Sequence, residues 1–166
     1  MKLSDGVEWA IHCVMLLGAL PQTATLSGKA LAEFHGIPES YLLKHLKRLV
    51  ASEILESVPG PRGGYRLARP PKEITLLDIV QAVNGKRPAF RCTEIRRRGP
   101  CGLDDSAYPR CCGINRAMMR AEVAYRDALA EETMKGITDE FIASADPRII
   151  PLGQGWLADN MRSPKS

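Results

Sequence analysis

The 166-residue sequence contains no run of about 18 apolar residues, so nothing in it is expected to span a bilayer. The nearest candidate, Val7 to Leu20, carries Glu8 and His12 and lacks the basic leader and cleavage pattern of a secretory signal. The expected location is therefore the cytoplasm. Also missing are a Cys-x-x-Cys redox pair, a glycine-rich loop of the phosphate-cradling kind, and a nucleophile–base constellation, so an enzyme is not expected. What remains is ordinary for a soluble protein: 45% hydrophobic and 25% charged residues, enough for one modest core with an extension.

Cysteine is unevenly placed. Four of the five, Cys92, Cys101, Cys111 and Cys112, share one Gly/Pro-rich stretch, while Cys13 lies on an apolar segment and reads as a small core residue. Clustered thiols in a loop have little packing value, and in a reducing compartment they bind metal or sense redox state more often than they pair.

The net charge of +4 is also local. Between Ser40 and Lys72 stand seven cations (Lys44, Lys47, Arg48, Arg62, Arg66, Arg69, Lys72) against Glu53 and Glu56; the remainder holds 16 cations and 17 anions. Such a patch is the footprint of phosphate contacts.

The order of elements gives the patch a setting. Ser4 can cap a first helix running to about Leu20, apolar nearly all round and so expected to be buried between other elements. A second helix fits Ser27 to His35 with Gly36 as the turn, and a third runs from Pro38 to about Ser52. Ile54–Val58 and Tyr65–Ala68 read as a hairpin around Pro59–Gly64, and Thr75 with Asp78 offers a capping box for a helix through Val83. Helix, helix-turn-helix, hairpin and helix make a winged helix: a mainly α fold with a small β-hairpin wing. The spacing Ala32-x3-Gly36-Ile37-x4-Leu42 suits the helix-turn-helix. Glu39, Ser40, Tyr41 and Lys44 are then expected at base edges, with Lys47, Arg48 and the wing residue Arg62 at phosphates or the minor groove of double-stranded DNA.

Beyond the cysteines, Ile114, Met118, Ala121, Tyr125 and Ala128 recur at spacings of four and three, a narrow stripe suited to a partner helix. A homodimer is expected, and with it a pseudo-palindromic operator. The divisions are 1–85 for the DNA-binding domain, 86–113 for the cysteine loop, 114–145 for the dimerisation helix and a short following helix, and 146–166 for a tail. Trp156 and Leu157 imply that part of the tail docks. Glu8 and His12, four residues apart on one helix face, need partners; a hydrogen bond between them and a shared metal both satisfy that need. Thiolate and imidazole suit iron–sulfur clusters and zinc alike, although Cys92-x8-Cys101-x9-Cys111-Cys112 lacks the close pairs of structural zinc sites.

Ser40-Tyr41-Leu42, the wing Gly60-Pro-Arg-Gly-Gly-Tyr65, the run Ile74 to Val83 and the trailing cysteines resemble the winged-helix iron–sulfur regulators of the IscR/NsrR family over roughly Met1 to Phe141. Val7-Glu8-Trp9-Ala10 with His12, and Phe90-x-Cys92-Thr-Glu-Ile95, look most like the RsrR-type redox regulators within that family. The resemblance implies a dimer with a 2Fe-2S cluster across its interface, Glu8 and His12 of one chain and Cys92 and Cys112 of the other as ligands. It also implies a repressor whose operator affinity follows the state of the cluster. Trp9, beside Glu8, is the candidate switch residue. A clusterless thiol or zinc sensor stands as the alternative in the same class, and an iron–sulfur electron carrier or thiol oxidoreductase as the alternative outside it; specific binding to a palindromic duplex separates the two classes.

Overall fold

The computed structural model describes residues 3–163; the last three positions of the expected tail, like Met1 and Lys2, lie outside that range. Seven helices and one two-stranded antiparallel sheet occur among the described residues, in the order α1 (Asp5–Gly18), α2 (Gly28–His35), α3 (Glu39–Ala51), β1 (Leu55–Val58), β2 (Gly64–Leu67), α4 (Leu76–Asn84), α5 (Gly113–Glu131), α6 (Met134–Ser144) and α7 (Ile149–Asn160). The mainly α winged helix expected from the sequence is the fold observed.

Helix α1 supplies the centre of the core. Val7, Ala10, Cys13, Val14 and Leu17 on α1 are buried with Leu31, Leu42, Leu46, Leu49, Ile54 and Ile79. The helix is not enclosed on every side, however: Glu8 and His12 lie on an exposed strip of it. Ser4 stands at its N-terminal boundary, yet its hydroxyl donates to Asn84 Oδ1 (2.8 Å) and makes no cap bond.

Local chemistry sets the remaining boundaries. Ser27 caps α2 by accepting the Ala30 N–H, and Gly36 takes the left-handed conformation (φ 64°) that lets Ile37 donate back to the Ala32 carbonyl. Pro38 precedes the first residue of α3, at the cap position, one step earlier than its expected place inside the helix. Thr75 and Asp78 form the capping box, with bonds of 3.0 and 3.2 Å.

The hairpin pairs Leu55 with Leu67, Glu56 with Arg66, Ser57 with Tyr65 and Val58 with Gly64. Its free edge is covered: Leu26 bridges Tyr65, with N–H···O distances of 3.1 and 2.7 Å, and Thr25 bridges Arg162. The tail is thus more structured than its sequence indicates. Gly153 and Gly155 disfavour helix, and Pro151 is tolerated because it lies in the first turn of α7. The helix rests on tertiary contact instead: Leu157 is buried, and Trp156 packs edge-to-face on Phe34 with ring centroids 4.7 Å apart.

Helix α5 buries none of its nineteen residues fully. Ile114 (68% exposed) and Met118 (41%) face solvent, as do Ala121 and Ala128. Tyr125, expected in that outward stripe, instead lines a groove of about 590 Å³ against α4, its hydroxyl buried without a partner. The inward face of α5 is marked by polar residues, which a search for apolar periodicity passes over. Arg126 pairs with Glu122 (2.9 Å) and donates to the Lys86 carbonyl, while Glu122 accepts the Ala89 N–H.

Candidate nucleic-acid interface and thiol site

The basic patch resolves into two kinds of cation. Arg66 forms a two-bond pair with Glu56 across the hairpin (both 3.0 Å), holding the Glu56 carboxyl below its usual range. Arg69 pairs with Asp78 at 3.1 Å. Arg48 donates to the Val83 carbonyl near the C-terminal end of α4, so part of its five-donor fork is committed inside the protein. Lys44, Lys47, Arg62 and Lys72 are exposed and make no ion pair among the described residues. Summed charge in a sequence cannot separate neutralised from free cations; the strand register and the α4 contact do so.

Ser40, Tyr41 and Lys44 are all exposed on the first turns of α3, Tyr41 at 66%. Tyr41 thus presents a large aromatic to water beside two hydrogen-bonding side chains. Arg62 stands at the wing tip. Behind this face, α1 and α3 meet at His45: the Trp9 ring lies edge-on to it (centroids 6.0 Å), and a side chain at Gly6 would fall 2.7 Å from His45 Nδ1. His45 Nδ1 is buried without a partner, and burial first, then the charges of Arg48 and Lys44, lower the pKa of the imidazole. The ring therefore favours its neutral form. The sequence offered no sign of this contact, since a lone histidine on a basic helix reads as one more surface residue.

The cysteine loop closes on itself. Arg96 pairs with Glu94 (2.7 Å), donates to the Arg110 carbonyl (2.8 Å), and lies over the Tyr108 ring at 4.7 Å; Tyr108 in turn donates to the Arg96 carbonyl. This knot ties the Cys92 end to the Cys112 end. Glu94, in left-handed conformation (φ 51°), sets its carboxylate 3.7 Å from Cys92 Sγ and its amide 3.4 Å from the same sulfur. Cys112 occupies the N-cap position of α5, where the N–H groups of Asn115 and Ile114 favour its thiolate and lower its pKa; Arg96 assists, while Glu94 and desolvation oppose. Cys101 and Cys111 are exposed, the latter 3.0 Å from Asn115 Nδ2. Cys13 is wholly buried and its thiol is pushed up to about 12 by that burial.

Glu8 and His12 share the exposed strip of α1, with the His12 ring 5.7 Å from that of His35. Among the described residues no three His, Cys, Asp or Glu side chains converge within one chain as a metal site would require. The candidates lie on two elements, Glu8 and His12 on α1 and Cys92 and Cys112 at the two ends of the loop. Each pair has donor chemistry that suits iron, thiolate on the loop and imidazole with carboxylate on α1.

A helix-turn-helix with a flanking hairpin and an exposed, unpaired basic face places the chain among winged-helix DNA-binding regulators. Residues 3–140 match the family model for Rrf2, described as an iron-dependent transcriptional regulator, and the chain belongs to the Rrf2 family of transcriptional regulators. Among its relatives is the Bacillus subtilis protein YwgB, named as an HTH-type transcriptional regulator, which is 30% identical over 84% of this chain and 85% of its own length. The HTH-type transcriptional regulator NsrR of Shouchella clausii is 24% identical over 82% of this chain and 88% of its own. Two solved structures share the fold: CymR, the global cysteine regulator of B. subtilis (TM-score 0.64, 19% identity, 84% of this chain and 98% of that one), and T. potens IscR (TM-score 0.64, 21% identity, 88% and 93%). No helix of the described residues is long and apolar enough to cross a membrane.

Proposed function

We propose that this chain is a homodimeric repressor whose affinity for a pseudo-palindromic operator is set by a 2Fe-2S cluster held between subunits. Glu8 and His12 of one subunit and Cys92 and Cys112 of the other would be the ligands. What supports the reading is α5, a nineteen-residue helix without one fully buried side chain, in a chain whose candidate donors lie apart, on α1 and at the two ends of the cysteine loop. A second copy supplies both the missing ligands and a cover for Ile114 and Met118. Bound there, the cluster would supply a reversible one-electron change; everything else falls to the protein.

One added charge at ~15 Å from a phosphate and an effective dielectric of ~20 changes the interaction by about 1 kcal/mol. Swinging an equilibrium from mostly bound to mostly free takes about 5.5 kcal/mol. Packing must carry the difference, and the α1–α3 contact is placed to do so. Glu8 neighbours Trp9, and Trp9 with Gly6 abuts His45 of the recognition helix. Trp9→Ala is expected to keep iron and sulfide at wild-type levels while bringing the ratio of oxidised to reduced operator affinity close to one. An unchanged ratio would remove Trp9 from the relay.

The reading is tested by anaerobic purification with iron, sulfide and visible absorption assays, followed by operator selection from random duplexes. Cluster content near two per dimer, one for each of the two symmetry-related sites, and a palindromic product are expected. Iron-free protein whose DNA binding responds to thiol oxidation would point to Cys101 and Cys111 as sensors instead, since both are exposed. For the DNA face, Lys44→Ala is expected to cost about 1–3 kcal/mol and relax base preference, and Arg62→Ala to reduce the salt slope by about one. Titrations at several salt concentrations, with cluster content unchanged, check both.

A further inference from the structure

The wing tip is held from outside by the C-terminal segment. Arg162 Nη1 donates to the carbonyls of Gly63 (3.0 Å) and Pro61 (3.3 Å), and the Thr25 hydroxyl donates to the Arg62 carbonyl between them (3.2 Å). Three successive carbonyls, flanking and including Arg62, are thus bonded by two residues that are themselves paired. The Arg162 N–H meets the Thr25 carbonyl at 2.9 Å, and the Thr25 N–H meets the Arg162 carbonyl at 2.8 Å. Helix α7 fixes Arg162 in place through buried Leu157 and through Trp156 on Phe34. The outer half of this arrangement, α7 and Arg162, lies beyond residue 140, where the match to the family model ends.

We propose that the α7 segment is a strap for the wing, with Arg162 the positioning residue that orients Arg62 toward DNA. A short loop of Pro, Gly and Arg residues would otherwise sample many conformations, and ordering it on contact would reduce affinity. The two donors from one guanidinium nitrogen and the one from Thr25 remove that cost before DNA arrives. Arg162 contributes through geometry: its Nη1 is committed to the wing carbonyls, and combining its substitution with Arg62→Ala separates this role from a phosphate contact through its other donors. The inference rests on the DNA-binding reading only for its functional arm; the structural arm stands apart from it.

The test uses the full chain and a duplex selected by the wild-type protein. Arg162→Ala is expected to retain the wild-type melting temperature, to speed amide exchange at Arg62 to Gly64, and to weaken binding about three- to tenfold. Hydroxyl-radical protection should fade at the wing flank and persist where α3 sits. In an Arg62→Ala background the same change should have no further effect, because there is no contact left to position. Arg162→Lys, which keeps a donor, should recover part of the affinity. Unchanged wing exchange in Arg162→Ala overturns the strap, even if no duplex is ever found to bind. Additive losses with Arg62→Ala and a further fall in salt slope overturn it in favour of direct phosphate contact. Failure of the wild-type protein to select any duplex would instead overturn the regulator reading and leave the exchange result standing.

Discussion

Gly64→Ala is expected to detach the wing and abolish operator binding while leaving α1, α3 and α4 folded. A Cβ built at Gly64 would fall 2.7 Å from the Leu26 carbonyl carbon and closer still to its oxygen, both backbone atoms. Backbone in a paired bridge cannot rotate away as a side-chain tip can. The hairpin must move off, and with it go the Leu26–Tyr65 bonds and the seating of the Thr25–Arg162 pair. Overpacking of this kind costs about 1–3 kcal/mol, before the lost bonds are counted. Loss of the Leu26 and Tyr65 amide protection, with helical circular dichroism retained and no measurable duplex affinity, is the expected pattern. Wild-type affinity in this variant would show that the wing plays no part in DNA recognition.

Cys92→Ala and Cys112→Ala are each expected to bring iron and acid-labile sulfide to background, while Cys13→Ala leaves both unchanged. An alanine methyl offers no thiolate, and a cluster missing one ligand is labile. Cys13 serves as the control because it is wholly buried with its thiol pushed up to about 12, in the protonated form at neutral pH. Its replacement should lower stability by about 1 kcal/mol through lost packing alone. Cys101→Ala and Cys111→Ala should retain the cluster, since both residues are exposed and Arg96 ties the loop without them. A full-strength spectrum in the Cys92 or Cys112 variant would show that the ligands are elsewhere.

The helices and wing were legible because their signals are local. Gly36 can adopt φ 64° cheaply, Thr75 and Asp78 cap each other within one turn, and hydrophobic spacing over Val7 to Leu17 marks a buried face. Each depends on residues a few positions apart, so spacing alone reveals it. The candidate site was legible to the level of residue type, four cysteines with a Glu–His pair, and to the position of the basic stretch.

Contacts between distant parts of the chain were not legible, and they settle the rest. Strand register commits Arg66 to Glu56, the end of α4 engages Arg48, and Tyr125 turns inward because the polar Glu122–Arg126 pair faces the Lys86 carbonyl. Helix α7 forms against the preference of its glycines because Trp156 finds Phe34, more than a hundred residues earlier in the chain. The sequence by itself determined which elements form up to α6, where the positive charge concentrates, and which donor residue types are present, since all three follow from local propensity and composition. Only the tertiary structure decided which cations stay free, that His45 joins α1 to the recognition helix, and that Arg162 braces the wing. Those outcomes depend on side chains meeting across large sequence separations, and no periodicity along the chain encodes such meetings.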